Sequence, residues 1–240
     1  MLAKERLIVA LDFADEQQVK SLVDTLGDEV VYYKVGMELY YSVGQSVLDF
    51  LAGRGKKIFL DLKLHDIPNT VAQALASLAT RPGIDILNVH AGGGPAMMKE
   101  AATRMRAAAH QAGLTPPKLI AVTLLTSLSE DEWARLNGRL SVREQVVSLA
   151  KLTKESGLDG VVASPQEAAA IRAACGADFL VVTPGVRPAG AAVGDQVRIA
   201  TPAKALADGA DYLVVGRPIT QAADPVLAVR QIIAEMEGQQ

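Results

Sequence analysis

Cysteine is nearly absent from this sequence: Cys175 is the single one in 240 residues. That excludes an internal disulfide and a thiolate-based metal cluster, and it fits a reducing compartment. Strong charge of one sign is missing as well, the formal net charge being only -3. No run of Lys and Arg offers a track for nucleic-acid phosphates or an anionic membrane surface, so neither is an expected partner. Long apolar runs are also lacking. The first one, Leu7 to Leu11, stops at Asp12, short of both the ~20 residues of a membrane span and the ~7–15 of a secretory signal core. A cytoplasmic protein without a targeting segment is therefore expected. No Gly-x-Gly-x-x-Gly turn follows that run, which argues against an open dinucleotide-binding sheet.

Hydrophobic residues are plentiful, at 50%, and charged residues, at 21%, are spread along the chain. A chain of this kind can bury one large core. Eight short runs rich in Val, Ile and Leu recur: Leu7–Leu11, Val30–Val35, Lys57–Leu62, Ile84–Val89, Leu119–Leu124, Gly160–Ala163, Phe179–Thr183 and Tyr212–Val215. Each is nearly continuous in apolar character, as strands buried on both faces are, so they read as parallel strands. Helix starts fall between them: Asp15 with Gln18, Thr70 with Gln73, Ser164-Pro165 with Glu167, and Thr201-Pro202. Eight strands alternating with helices in 240 residues predict an α/β fold, a closed (β/α)8 TIM barrel forming a single domain over 1–240. An open doubly wound sheet is the competing architecture. Pro184–Gly194 follows the seventh run and reads as a loop over the barrel mouth, a lid rather than a linker.

Catalytic groups of such barrels sit at the C-terminal ends of several strands, and those ends are unusually charged here. The first run ends in Asp12, the second holds Lys34, the third continues Asp61-Leu62-Lys63-Leu64-His65-Asp66, and the eighth ends in Gly216-Arg217. Taken singly, Asp12 reads equally well as a solvated strand end and Lys34 as a lysine reaching outward along its stem. Asp61 and Lys63 are two apart and so point to one side of a strand, as an ion pair or as a reactive pair. Asp66 and Thr70 fit a turn before Pro68 and a helix cap as well as they fit a site. Other candidates are weaker. His90 precedes Gly92-Gly93-Gly94, a tight turn before it is a phosphate cradle. His65, His90 and His110 lack metal-ligand spacing, Ser164 reads as a helix cap, and Trp133 as a packing residue.

The stretch Asp61-Leu62-Lys63-Leu64-His65-Asp66-Ile67-Pro68-Asn69-Thr70 resembles the signature of the orotidine 5'-phosphate decarboxylase family. Further blocks match in order: Ala10-Leu11-Asp12, Lys34-Val35-Gly36, Leu125-Thr126-Ser127, Thr183-Pro184-Gly185-Val186-Arg187-Pro188, Asp195-Gln196-Val197-Arg198 and Val215-Gly216-Arg217-Pro218-Ile219. The resemblance covers nearly the whole chain. It implies a homodimeric barrel that converts orotidine 5'-phosphate to uridine 5'-phosphate and CO2, the last step of de novo pyrimidine nucleotide synthesis, without cofactor or metal.

Roles follow from the same resemblance. Lys63 is implied as the proton donor, and Lys34, Asp61 and Asp66 as the rest of an alternating charged array. Asp66 and Thr70 are implied to reach the neighbouring subunit's site. Asp12 and Lys34 are implied at the ribose, Thr126 and Ser127 at the ribose or base edge, Arg187, Gln196, Gly216 and Arg217 around the phosphate, and Pro184 as a further substrate-binding residue. Two rivals share parts of this pattern. One is a Mg-dependent keto-sugar-phosphate decarboxylase sharing the Asp-x-Lys-x-x-Asp core, which wants a carboxylate where this chain has Lys34. The other is a non-catalytic sugar-phosphate-binding barrel, which the presence of both Asp61 and Lys63 disfavours.

Overall fold

The computed structural model describes residues 2–136, 138–188 and 200–238. Eight strands appear where apolar runs predict them: β1 Leu7–Leu11, β2 Tyr32–Gly36, β3 Lys57–Leu64, β4 Ile84–His90, β5 Lys118–Val122, β6 Gly160–Val162, β7 Leu180–Thr183 and β8 Tyr212–Val215. Each pairs in parallel with the next, and β8 returns to β1 through Leu7 opposite Leu213, so the sheet closes into a barrel. The open-sheet alternative is thereby excluded.

Closure explains why the strands lack polar alternation. Ile8, Ala10, Tyr32, Phe59, Ile86, Ile120, Val182, Tyr212 and Val214 fill the interior, while their strand neighbours, such as Leu7, Val9, Tyr33, Leu60, Leu87 and Leu213, pack outward against the helices. Both faces are dry, so both are apolar. Each fully buried aliphatic or aromatic side chain stabilises the fold by ~1.5–3 kcal/mol. The N-terminal end is plugged: the Tyr32 hydroxyl donates to Asp85 Oδ2 at 2.6 Å, and the Tyr32 and Tyr212 rings meet edge to face at 5.7 Å. The C-terminal end is left for function.

Several boundaries differ from the sequence reading. β2 starts two residues later and runs on to Gly36, β3 continues to Leu64, β4 reaches His90, and β5 stops at Val122. Two of these shifts lengthen strands, β3 through Lys63 and β4 through His90, polar residues at the barrel mouth that an apolar pattern cannot register. Helix starts are mostly as expected. Asp15 caps residues 16–26, though by accepting from the Gln17 N–H rather than in a reciprocal pair with Gln18. Ser164 accepts from Gln166 N–H, and Thr201 from Lys204 N–H. Thr70 is a correction: its helix spans Pro68–Leu78 with Ile67 at the cap position, so Thr70 lies inside the first turn. Pro68, which has no N–H to satisfy and a helix-ready φ, starts the helix without a side-chain cap. Trp133 packs against the cluster around Val146 and Val161, and its indole N–H donates to Leu140 O at 2.8 Å. No helix among the described residues is long and apolar enough to cross a membrane.

Candidate active site

Counting by twos from the inward residues places the polar groups of β1–β4 on the inner face. Ala10 leads to Asp12, Tyr32 to Lys34, Phe59 to Asp61, and Ile86 to Asn88 and then His90. The other half of the wall, built by β5–β8, presents Ile120, Val162, Val182 and Val214.

Four of the predicted residues meet. Lys34 Nζ lies 2.9 Å from Asp12 Oδ1 and 3.5 Å from Asp61 Oδ2. Lys63 Nζ donates to the other oxygen of Asp61, Oδ1, at 2.8 Å. One carboxylate therefore sits between two ammonium groups. Burial works against charge on Asp61, but Lys34 and Lys63, with hydrogen bonds from Lys63 and Asn88, outweigh it and hold the carboxyl below its ordinary value. Burial likewise opposes the Lys34 ammonium, yet Asp61 and Asp12 hold its pKa above the usual lysine value. Gly36 leaves room for this arrangement, since a Cβ there would stand 2.8 Å from Lys34 Nζ.

Replacing Asp61 by Asn is expected to destabilise the fold by about 3 kcal/mol near neutral pH, because the largely buried Lys34 ammonium and the partly buried Lys63 ammonium lose their shared counter-charge. Only 11% of the Lys34 and Asp61 side chains is exposed, so solvent screening is slight. Since the folded pKa of Asp61 lies below the unfolded one, this contribution is complete above ~3.9 and is lost as pH falls through the depressed value. Urea midpoints of the two proteins should differ by a constant amount from about pH 8 to 5, then converge at more acid pH. A difference unchanged at about pH 3 would show that Asp61 does not carry this charge-linked stability.

A cavity of about 350 Å³ opens beside the array, lined by residues including Asp12, Lys34, Pro184, Gly185, Arg187, Gly216 and Arg217. It thus gathers predicted residues from β1, β2, β7 and β8. Gly185 has φ 76°, a left-handed conformation that glycine adopts without strain. Arg187 is buried and its backbone N–H donates to Ala200 O at 3.0 Å, tying the two ends of the loop after β7 together. Gln196, its block Asp195–Arg198, and most of the expected lid lie outside the described residues. Thr126 and Ser127 lie on the loop after β5, at the same end of the barrel, but do not line this cavity.

Asp66 and Thr70 do not join the array of their own chain. Residues 65–70 are all exposed, and Asp66 Oδ1 accepts from Ile67 N–H at 2.6 Å.

Sequence reasoning missed two further residues and one role in this set. Asn88, 1% exposed, donates to Asp61 Oδ1 at 2.7 Å and accepts from the Lys63 N–H at 2.8 Å. Gln221 lines the cavity. His90, read from sequence as part of a turn, is half-buried, with its ring 5.4 Å from that of His65. Burial first, then His65 and Lys63, hold its pKa below the ordinary histidine value despite an opposite pull from Asp61. For Asn88 and His90 the available signal is two polar residues at i and i+2 within an otherwise apolar strand.

The comparisons with known proteins agree with this geometry. The model of the family described as "Orotidine 5'-phosphate decarboxylase / HUMPS family" matches residues 5–232. Orotidine 5'-phosphate decarboxylase of Moorella thermoacetica is 51% identical over 238 residues, 99% of this chain and 94% of that protein. The protein of the same name from Streptococcus mutans is 49% identical over 239 residues, 99% of this chain and 100% of that protein. Among solved structures, orotidine 5'-phosphate decarboxylase from Lactobacillus acidophilus superposes with a TM-score of 0.83 at 46% identity, covering 96% of this chain and 98% of that one. With its motif blocks in order, a closed eight-stranded barrel and relatives matched along their whole length, the chain belongs to the orotidine 5'-phosphate decarboxylase / HUMPS family.

Proposed function

We propose that this chain decarboxylates orotidine 5'-phosphate to uridine 5'-phosphate and CO2, completing the pyrimidine nucleotide, with Lys63 as the proton donor and no metal ion. The observation that carries this reading is the Lys34–Asp61–Lys63 array, with its carboxylate buried between the two ammonium groups, at the end of strands whose neighbouring cavity also holds Arg187 and Arg217.

Loss of CO2 from C6 of the pyrimidine leaves an electron pair in the plane of the ring, where the ring's π-system cannot absorb it. Without an electron-sink cofactor the protein must stabilise that charge itself. An ammonium already fixed by Asp61 does so without reorganising as charge develops, and the same Lys63 then delivers the proton to C6. At an effective dielectric near 20, opposite unit charges ~4 Å apart attract by about 4 kcal/mol, whereas enzymes lower barriers by about 8–23 kcal/mol. One lysine is not enough. The remainder falls to positioning of the base and to binding energy from the remote phosphate.

Arg217 is assigned to that phosphate, with Arg187, Gly216 and Gln196 beside it, because a planar guanidinium matches a dianion in two-point contact. Asp12 and Lys34 are assigned to the ribose hydroxyls, Thr126 and Ser127 to the ribose or base edge, and Pro184 to the wall of the site. Arg217→Ala should lower kcat/KM for the nucleotide roughly 10- to 100-fold, the loss expected of a charge-assisted contact, while sparing the phosphate-free nucleoside. Equal losses on the two substrates would show that Arg217 does not read the phosphate.

The keto-sugar rival places a divalent cation near the position of Lys34. Here that place holds an ammonium bonded to Asp12 and facing Asp61, which repels such a cation. The working unit in this reading is a two-fold homodimer in which Asp66 and Thr70 complete the partner's site. Its support is segment 65–70, every residue of which is exposed, with Ile67 at 67% exposure, an apolar group that an interface would cover.

A thermal-shift experiment tests the reading. Uridine 5'-phosphate should raise the melting temperature equally with chelator and with Mg2+, and a keto-sugar phosphate with Mg2+ should not. Stabilisation by the sugar phosphate that requires Mg2+ would instead support the rival.

A further inference from the structure

Strand β3, which already shifts register against β4 between Ile58 and Phe59, does so again where its chemistry begins. Its register with β4 shifts between Leu60, opposite Leu87, and Leu64, opposite Val89. The three residues in between are Asp61, Leu62 and Lys63. Lys63 also has φ 53°, the only positive value outside glycine among the described residues. A side chain with a Cβ pays ~1–3 kcal/mol for such a conformation, and it persists only where surroundings enforce it. The backbone N–H freed by this kink is not left unpaired, because it donates to Asn88 Oδ1 at 2.8 Å.

Asn88 uses the other end of the same amide as well. Its Nδ2 donates to Asp61 Oδ1 at 2.7 Å, the oxygen that also accepts from Lys63 Nζ at 2.8 Å. The orientation of the amide is unambiguous, since a backbone N–H only donates and a carboxylate only accepts. With Oδ1 engaged by Asn88 and Lys63, Oδ2 is turned toward Lys34 at 3.5 Å. We propose that Asn88 is a positioning residue, whose buried amide clamps the kinked Lys63 backbone and the Asp61 carboxylate together and so fixes the Lys63 ammonium at the reacting carbon. Only a side chain with a donor and an acceptor on one rigid plane does both; alanine does neither, and an ionised aspartate keeps the acceptor but repels Asp61.

The proposal rests on the decarboxylase reading for its kinetic readout, and its structural readout stands apart from it. Asn88→Ala should lower kcat roughly 100-fold, the usual penalty for ~1 Å misplacement of a reacting group. Affinity for uridine 5'-phosphate should stay within about threefold of wild type, since ground-state contacts are untouched. Asn88→Asp keeps the size of the side chain and supplies a sharper test. Adjacent buried carboxylates share a proton, and a protonated carboxyl both donates and accepts, as the amide does. The surrounding titratable groups are Asp61 and Lys63 on β3, Lys34 on β2, and His90 on β4 with His65 against it. Relative to wild type at each pH, kcat of this variant should rise about tenfold or more from about pH 8 to 5.5, while Asn88→Ala stays low throughout.

A crystal structure of Asn88→Ala should show Lys63 leaving its positive φ and its contact with Asp61. If Asn88→Ala fails to fold, the isosteric Asn88→Asp carries the test through its pH profile. The proposal is overturned by kcat of Asn88→Ala within about threefold of wild type, by equal losses of kcat and product affinity, by an Asn88→Asp profile parallel to wild type, or by an unmoved Lys63. A wild-type protein inactive on the nucleotide sinks the decarboxylase reading alone, and displacement of Lys63 in the alanine variant still supports the clamp.

Discussion

Lys63→Ala is expected to remove turnover while leaving uridine 5'-phosphate bound. General acid catalysis by itself contributes ~100- to 10,000-fold, and loss of the fixed ammonium adds to that. The phosphate and ribose groups assigned here, Asp12, Arg187, Gly216 and Arg217, share the cavity beside Lys34 and do not depend on Lys63 for their placement. Asp61 keeps Lys34 and Asn88 as partners when Lys63 is gone, so the fold should survive the change. Titration calorimetry with the product and a single-turnover assay separate the two effects. Turnover within about tenfold of wild type would refute Lys63 as the acid.

Two variants that are each nearly inactive are expected to regain activity when mixed. Lys63→Ala removes the acid from its own site. Asp66→Asn, in the shared-site reading, damages the partner's site, because the Asp66 carboxylate lies in an exposed segment and contacts no lysine of its own chain among the described residues. In a heterodimer both lesions fall in one site and the other is intact. Random equimolar exchange makes about half the dimers mixed, each with one working site of two, so roughly a quarter of wild-type activity should appear. No recovery after exchange has been verified would place Asp66 in its own subunit's chemistry and end the shared-site model.

The barrel is legible in the sequence because closure buries both faces of every strand, which turns each into an apolar run that needs no alternation to be seen. Asp12, Lys34, Asp61 and Lys63 are legible as a group because charge inside such runs requires partners; strand parity puts the first three on the inner face, and Lys63 joins them through its bond to Asp61. Asn88 escapes that logic. A single amide in strand four looks like an imperfection until the break in pairing between Leu60 and Leu64 shows which backbone group it serves, and a register shift leaves no mark in composition. Thr70 misleads for a different reason: a threonine three residues before Gln73 imitates a capping box, while Pro68 has already started the helix. Asp66 cannot be resolved from one chain at all, since its role in this account depends on a second copy.

The most direct test of the central claim is to incubate the purified protein with orotidine 5'-phosphate and excess chelator, and to follow CO2 release and uridine 5'-phosphate formation together. Equimolar CO2 and uridine 5'-phosphate are expected, formed at a rate that neither chelator nor added Mg2+ changes. Absence of turnover, or turnover that disappears with chelator and returns with Mg2+, would contradict the claim.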